Sequence, residues 1–276
     1  MVRFDEIGYW SELKLEILEK YAKPYSQILS NAREPRLHHV YIDGFSGAGT
    51  HLSKETGERI PGSPLRALEI NPPFREYFFV DLNSSKVEEL RRTVGTQPNV
   101  HIYEGDCNRT LLAEVFPKVR YEDYRRGLCL LDPYGLHLDW QVIKTAAELR
   151  SIEIFLNFPV LDMNRNVLWR NPHGATPEQR QRMTSFWGND SWYDAAYQPP
   201  GQGVLFGERE PEKQGNEVIA EAFRKRLLDV AGFKHVPKPL AMRNSTHAVV
   251  YYLFFACHRP VANKIVEEIF KKYRER

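Results

Sequence analysis

Cysteine is scarce in this chain. Its three cysteines, Cys107, Cys129 and Cys257, lie far apart, and none sits in a C-x-x-C pair. That spacing argues against a disulfide framework or a zinc site, so no metal is expected, and it suits a reducing compartment. Long apolar runs are missing as well. No stretch approaches the roughly 18 residues that cross a bilayer, and no leader-like segment is recognisable. A cytoplasmic protein without a membrane partner is therefore expected. An excess of one charge is also absent: 38 Lys and Arg against 36 Asp and Glu leave +2, so nothing global demands nucleic acid. Basic clusters at Arg33/Arg36/His38/His39, Arg224/Lys225/Arg226 and Lys271/Lys272/Arg274/Arg276 read most simply as solvated helix faces. Internal repeats and low-complexity tracts are lacking, which argues against a solenoid. What remains is 276 residues, 42% of them hydrophobic, enough for one large α/β domain or a domain with an insertion.

The chain is organised around Tyr41-Ile42-Asp43-Gly44-Phe45-Ser46-Gly47-Ala48-Gly49-Thr50. Leu37 to Ile42 reads as a strand and the glycines after it as a tight loop. Small residues there let a ligand approach the backbone, and positive φ costs little. Open α/β sheets bind ligands at such loops, on the carboxyl edge of a parallel strand. The spacing is not the dinucleotide fingerprint G-x-G-x-x-G. It looks like the first motif of class I methyltransferases, D-x-F-x-G-x-G, although a plain tight turn would read the same way.

Before this loop, Trp10 to Leu29 has helical periodicity, with Leu13, Ile17, Leu18 and Tyr21 on one face, Ser11 as its cap and Pro24 expected to kink or end it. After it, Thr50 to Pro61 is a polar excursion, either a lid or a surface loop. Ser63 then suits a helix cap and Pro64 the first helical position. The free N–H groups of that helix could reach a carboxylate or a substrate.

Tyr77 to Val80 is a second strand ending in Asp81-Leu82-Asn83. An acid at that tip can accept both hydroxyls of a ribose. Val100 to Tyr103 is a third strand, followed by Asp106-Cys107. Asp106 could accept an adenine amino group or cap the next helix. Gly127 to Leu131 is a fourth strand running into Asp132-Pro133-Tyr134-Gly135. Methyltransferases acting on exocyclic amines carry a D/N-P-P-Y/F motif at this place, and D-P-Y-G resembles the form in guanine-N2 enzymes of tRNA. An amine conjugated to a ring is a poor nucleophile because its lone pair is delocalised. A carboxylate and a fixed carbonyl accepting its two hydrogens localise that pair, and an aromatic ring holds the base flat. A simple turn is the competing reading.

Trp140 to Leu149 reads as a helix and Ile152 to Phe158 as a fifth strand. Asp162 to Gly215 interleaves arginines with aromatics (Arg165, Trp169, Arg170, Arg180, Arg182, Trp187, Trp192) and includes a helix over Pro177 to Phe186. That pattern suits base stacking or the packing of a helical insertion equally. Asn216 to Val230 is a helix with Val218, Ala222, Leu227 and Leu228 inward. Phe233 to Met242 and Ala248 to Cys257 are an antiparallel closing pair, and Pro260 to Tyr273 is a last helix.

Taken together, Trp10 to Leu15, Tyr41 to Gly49, Gly62-Ser63-Pro64, Phe79 to Asn83, Asp132 to Gly135 and Tyr251 to Phe255 resemble the three-Cys-motif partner (TcmP) family of bacterial and phage proteins from end to end. The resemblance implies a Rossmann-like class I methyltransferase fold: a mostly parallel seven-stranded sheet, last strand antiparallel, with helices on both faces. It also implies a functional link to a three-Cys-motif partner protein. One domain over 1–276 is expected, with a helical arm at 1–30, a cofactor-binding half at 31–161, an insertion at 162–215 and a helix, hairpin and final helix at 216–276. The leading expectation is an S-adenosyl-L-methionine-dependent enzyme methylating an amine of a DNA or RNA base. Asp43, Gly44, Phe45, Ser46, Gly47 and Gly49, with Ser63, would hold the methionine portion. Asp81 and Leu82 would hold the ribose, and Asp106 and Cys107 the adenine. Asp132, Pro133 and Tyr134 would hold the target amine. The rival expectations are a non-catalytic binding module that docks the partner and a nicotinamide-linked oxidoreductase, which an antiparallel seventh strand would exclude.

Overall fold

The computed structural model describes residues 5–198 and 211–275; residues 199–210 of the expected insertion, and Arg276 of the last basic cluster, lie outside the described residues. The chain opens with a short strand, β1 (Glu6–Ile7), and a long helix, α1 (Tyr9–Asn31). The cap of α1 is Gly8, and Ser11 lies inside the first turn instead of capping it. Pro24 neither ends nor breaks α1. Its missing hydrogen bond is outweighed by burial on either side, because Tyr21, Ala22, Tyr25 and Ser26 all pack inward.

β2 (His38–Asp43) follows, and then the excursion turns out to be a hairpin, β3 (Thr50–Ser53) and β4 (Arg59–Pro61). β1 pairs with β3 in parallel, so the start of the chain and the hairpin form one three-stranded sheet. α2 (Ser63–Leu68) is capped by Gly62; Ser63 is its first residue, because its hydroxyl is spent on Asp43. β5 (Glu76–Asp81) leads to α3 (Ser84–Val94), capped by Asn83, whose side chain accepts from the Ser85 and Lys86 amides. β6 (Val100–Glu104) leads to α4 (Cys107–Thr110), continued by a wide turn and a 3-10 turn to Lys118. β7 (Arg125–Leu131), α5 (Trp140–Leu149) and β8 (Ile152–Phe158) alternate as expected.

Between β8 and the next long helix lie α6 (Val160–Asn166), α7 (Pro177–Trp187) and α8 (Trp192–Ala196), and two short strands, β9 (Tyr197–Gln198) and β10 (Glu212–Lys213), that pair antiparallel. Phe186, Trp187 and Trp192 are buried in the core, so packing claims these aromatics, whereas Trp169 stays exposed. α9 (Asn216–Arg226) is longer by a wide turn through Ala231, and Val218 faces outward, contrary to its expected inward placement. The sixth large strand, β11 (Leu240–Arg243), is shorter than expected, since residues 233–239 make only an isolated bridge from His235 to Cys257. β12 (Val249–Ala256) and α10 (Pro260–Arg274) close the chain.

The main sheet has seven strands in the order β11-β12-β8-β7-β2-β5-β6. β8, β7, β2, β5 and β6 are mutually parallel, and β12 runs antiparallel to both β8 and β11. Side-chain patterning explains why β12 lies inside and β11 at the edge. In β12, Tyr252, Phe254 and Ala256 join the core on one face while Tyr251, Leu253 and Phe255 join the core on the other. A strand apolar on both faces must be covered on both. In β11 only Leu240 and Met242 are buried, and Arg243 is exposed. The Rossmann-like methyltransferase sheet expected from the sequence is thus present, and its inserted antiparallel strand disfavours the dehydrogenase alternative.

The first basic cluster is split, with Arg33 and Arg36 exposed and His39 turned inward. His39 is fully buried, shares a hydrogen bond of 2.8 Å with Ser26 Oγ, and is pushed down to about 4 by burial and then by Arg75.

Candidate active site

The chain runs outward from β2 through β5 to β6, returns, and continues from β7 to β8 on the other side. The reversal leaves a switch point between the carboxyl ends of β2 and β7, where open sheets form ligand crevices. A crevice of about 720 Å³ lies there.

The glycine loop follows β2. Asp43 is fully buried, accepting from the Phe45 amide at 3.1 Å and from Ser63 Oγ at 2.5 Å. Burial pushes its carboxyl up to about 7, against these two donors. A Cβ on Gly44 would meet Cys107 Sγ at 2.8 Å, so only glycine fits the packing between β2 and α4. Gly47 and Gly49 have φ of +62° and +77°, the left-handed region. A Cβ on Gly47 would meet nothing within 4 Å, so the loop has free space beside it.

The loop is tied to the tip of β5. Ser46 donates its amide to the Val80 carbonyl at 2.9 Å, and Gly47 donates its amide to Asp81 Oδ2 at 2.8 Å. Asp81 Oδ1 takes the Asn83 amide at 2.8 Å. A carboxylate has about four acceptor directions, so Asp81 keeps further capacity. Leu82 beside it is 72% exposed. At the tip of β6, Asp106 caps α4 by accepting from the Arg109 amide at 2.9 Å, which leaves its second oxygen unspent by that bond. Cys107 is buried, and its thiol is held well above the usual range by burial, which makes it a packing group and not a nucleophile.

Across the crevice, β7 delivers Asp132-Pro133-Tyr134-Gly135. Asp132 Oδ1 accepts from Asn157 Nδ2 at 2.7 Å, and Asp132 Oδ2 is ion-paired with Lys14 of α1. The Lys14 ammonium lies 5.6 Å from the centre of the Tyr251 ring. Tyr134 is 55% exposed, but its hydroxyl is packed between Asp5 and Lys86, each at 2.9 Å, and burial there pushes it up to about 12. Lys86 also pairs with Asp5 at 2.6 Å and holds that carboxyl below its usual range despite burial. Gly135 is at φ +56°, and a Cβ there would lie 2.8 Å from Asp162 Oδ2.

Of the residues singled out in sequence, Phe45, Gly47, Ser63, Asp132, Pro133 and Tyr134 line one crevice. Asp43, Gly44, Ser46 and Gly49 shape the loop from beneath. Asp81, Leu82, Asp106 and Cys107 lie at the neighbouring tips of β5 and β6, outside that lining. The sequence reading missed Asp5, Lys14, His51, Asn157 and Tyr251, which also line the crevice. A signal for Lys14 was present: it stands on the same helical face as Leu18 and Tyr21, a charge where periodicity demands an apolar residue. His51 is held below its usual value by burial and then by Lys14. Among the described residues no group of three or more His, Cys, Asp or Glu is arranged to hold a metal ion, and no helix is long and apolar enough to cross a membrane.

No protein-family model matches the chain, and no curated protein matches its sequence. Solved structures resemble it in fold. A protein of Legionella pneumophila is 11% identical at TM-score 0.44, over 94% of this chain and 92% of its own. A proposed methyltransferase from Thermobifida fusca is 11% identical at 0.42, over 90% and 83%. A proposed S-adenosylmethionine-dependent methyltransferase from Listeria monocytogenes is 10% identical at 0.41, over 86% and 97%. At this level of similarity they add nothing to what the sheet order already establishes. The fold is that of the class I methyltransferases.

Proposed function

We propose that the protein is an S-adenosyl-L-methionine-dependent methyltransferase whose acceptor is an exocyclic amine of a nucleic-acid base. One observation carries the reading: the glycine loop after β2 and the Asp132-Pro133-Tyr134 motif after β7 face each other across one crevice at the switch point. The open space beside Gly47 and the spare acceptor capacity of Asp81 fit the cofactor. The loop from Phe45 to Gly49 would take its methionine portion, Asp81 its ribose hydroxyls and the unspent oxygen of Asp106 its adenine amine.

The cofactor, when bound, supplies an electrophilic methyl group. Everything else falls to this chain. Asp132 and the Pro133 carbonyl accept the two hydrogens of the target amine, which localises its lone pair. The Tyr134 ring, fixed at its hydroxyl by Asp5 and Lys86, stacks the base and sets its plane. The Asp132 carboxylate would receive the proton that nitrogen releases. Orientation and preorganised dipoles of this kind are large contributions to rate.

Incubation with labelled cofactor and total cellular DNA and RNA, followed by nucleoside analysis, tests the reading. A labelled methylamino nucleoside is expected, and absence of label from both nucleic acids overturns it. A second reading, a cytoplasmic non-catalytic module of bacterial or phage origin that docks a three-Cys-motif partner protein, is favoured by the engagement of Asp132 with Lys14 and Asn157. It predicts cofactor binding by calorimetry without turnover.

A further inference from the structure

Both polar side chains of the acceptor motif are engaged by the arm that precedes the sheet. Lys14 of α1 pairs with Asp132, and Asp5 accepts from the Tyr134 hydroxyl. The arm is also tied to the hairpin beside the crevice: Leu52 donates its amide to the Asp5 carbonyl at 3.0 Å, and Lys54 donates to the Ile7 carbonyl at 2.9 Å. Glu6, Ile7, Trp10 and Ser11 complete this side of the wall.

The Lys14 side chain is only 8% exposed, and that of Asp132 is 28%. A lysine normally keeps its ammonium in water. This one turns inward, with Asp132 on one side and the Tyr251 ring on another. What it presents to Asp132 is an N–H donor on an amine nitrogen. The reading above assigns the same relation to the target base: an amine nitrogen whose hydrogen is accepted by Asp132. Asn157 holds Oδ1 and Lys14 holds Oδ2; lone pairs remain, as on Asp81, but the ammonium occupies the space between this carboxylate and the Tyr251 ring, and an amine approaching Oδ2 there meets it.

We infer that Lys14 sits in the place of the acceptor amine, so that an acceptor enters only by displacing it; Lys14 is then a specificity-determining residue of this site. The inference rests on the proposed acceptor role of Asp132. It follows that a weakly donating or badly oriented amine loses to the tethered lysine, whose local concentration is fixed by the fold. An acceptor that also stacks on Tyr134 gains a second contact and can win.

The test uses the whole protein without cofactor and 2-aminopurine riboside, a fluorescent base with one exocyclic amine whose emission falls on stacking. Lys14→Met keeps the length and apolar stem of the side chain and removes the donor. It should bind the probe at least tenfold more tightly than the unmodified protein, and adding Asp132→Ala should abolish the gain. Glu12→Ala, which leaves Lys14 and the Tyr134 contacts in place but removes the partner of the Ser53 hydroxyl and so loosens α1 from the hairpin, should tighten binding by a few fold, and it decides the matter if Lys14→Met fails to fold. Equal affinity in the unmodified protein and the arm variants overturns the displacement idea and leaves the acceptor reading standing. No binding by any of the proteins, with cofactor still bound by calorimetry, overturns the acceptor reading and this inference together.

Discussion

Ser63 donates its hydroxyl to Asp43 at 2.5 Å, joining the first residue of α2 to the last residue of β2. The bond closes the base of the glycine loop, because everything between the two residues must leave the sheet and return. It also places a titratable group in the interior, directly under the proposed cofactor seat.

The pH dependence of stability follows from that carboxyl. Its folded value is raised from 3.8 to about 7, so the folded protein holds a proton that the unfolded chain has released between those values. This contribution is fully present below pH 4 and is lost as pH rises through 7; the gap corresponds to about 4 kcal/mol. Glu153, also pushed up to about 7 by burial, acts in the same direction, so the variant must be compared with the parent. Asp43→Asn should flatten the fall in melting temperature between pH 4 and 7.5. Parallel profiles for the two proteins would count against the assignment.

Packing at Gly44 gives a second outcome. Gly44→Ala drives a methyl group to 2.8 Å from Cys107 Sγ and 3.3 Å from Leu131 Cδ2. Overpacking of this kind costs about 1–3 kcal/mol. Urea unfolding should show that loss, and adding Cys107→Ala should restore a large part of it, because contacting sites couple. Additive losses in the double variant would show that the thiol is not the obstacle.

Asp81 serves structure before it serves any ligand, since both its oxygens hold backbone amides. Asp81→Ala strands those amides and should cost about 1–3 kcal/mol. The same change should weaken cofactor binding at least tenfold in calorimetry. Retained affinity would remove Asp81 from the proposed ribose site.

Asp132→Ala separates the two halves of the crevice. Methyl transfer to nucleic acid should vanish, while cofactor affinity stays within a few fold, since this carboxylate lies on the acceptor side. Lys14 would lose its partner, and a partly buried ammonium left alone costs stability, so a lower melting temperature is expected as well. Loss of cofactor binding without loss of fold would reverse the assignment of sides.

Much of this architecture is local and was therefore legible. Tyr77 to Val80 and Val249 to Ala256 are too apolar to be anything but covered strands, and their order along the chain implies the sheet. Asp43, Asp81, Asp106 and Asp132 each stand just past or at the end of a strand, and parallel strands carry such positions to one edge. What local pattern could not decide was how far packing overrides propensity. Pro24 stays within α1 because its neighbours are buried, and Ser63 gives up a cap because Asp43 lies within reach.

The amino-acid order alone determined the alternation of strands and helices, the glycine loop and the acid at each tip, because these depend on neighbours a few residues apart. Only the tertiary structure decided that Lys14 would meet Asp132 and Asp5 would meet Tyr134. Those pairs are 118 and 129 residues apart. Their meeting depends on where a long helix comes to rest against a seven-stranded sheet, and no local periodicity encodes that.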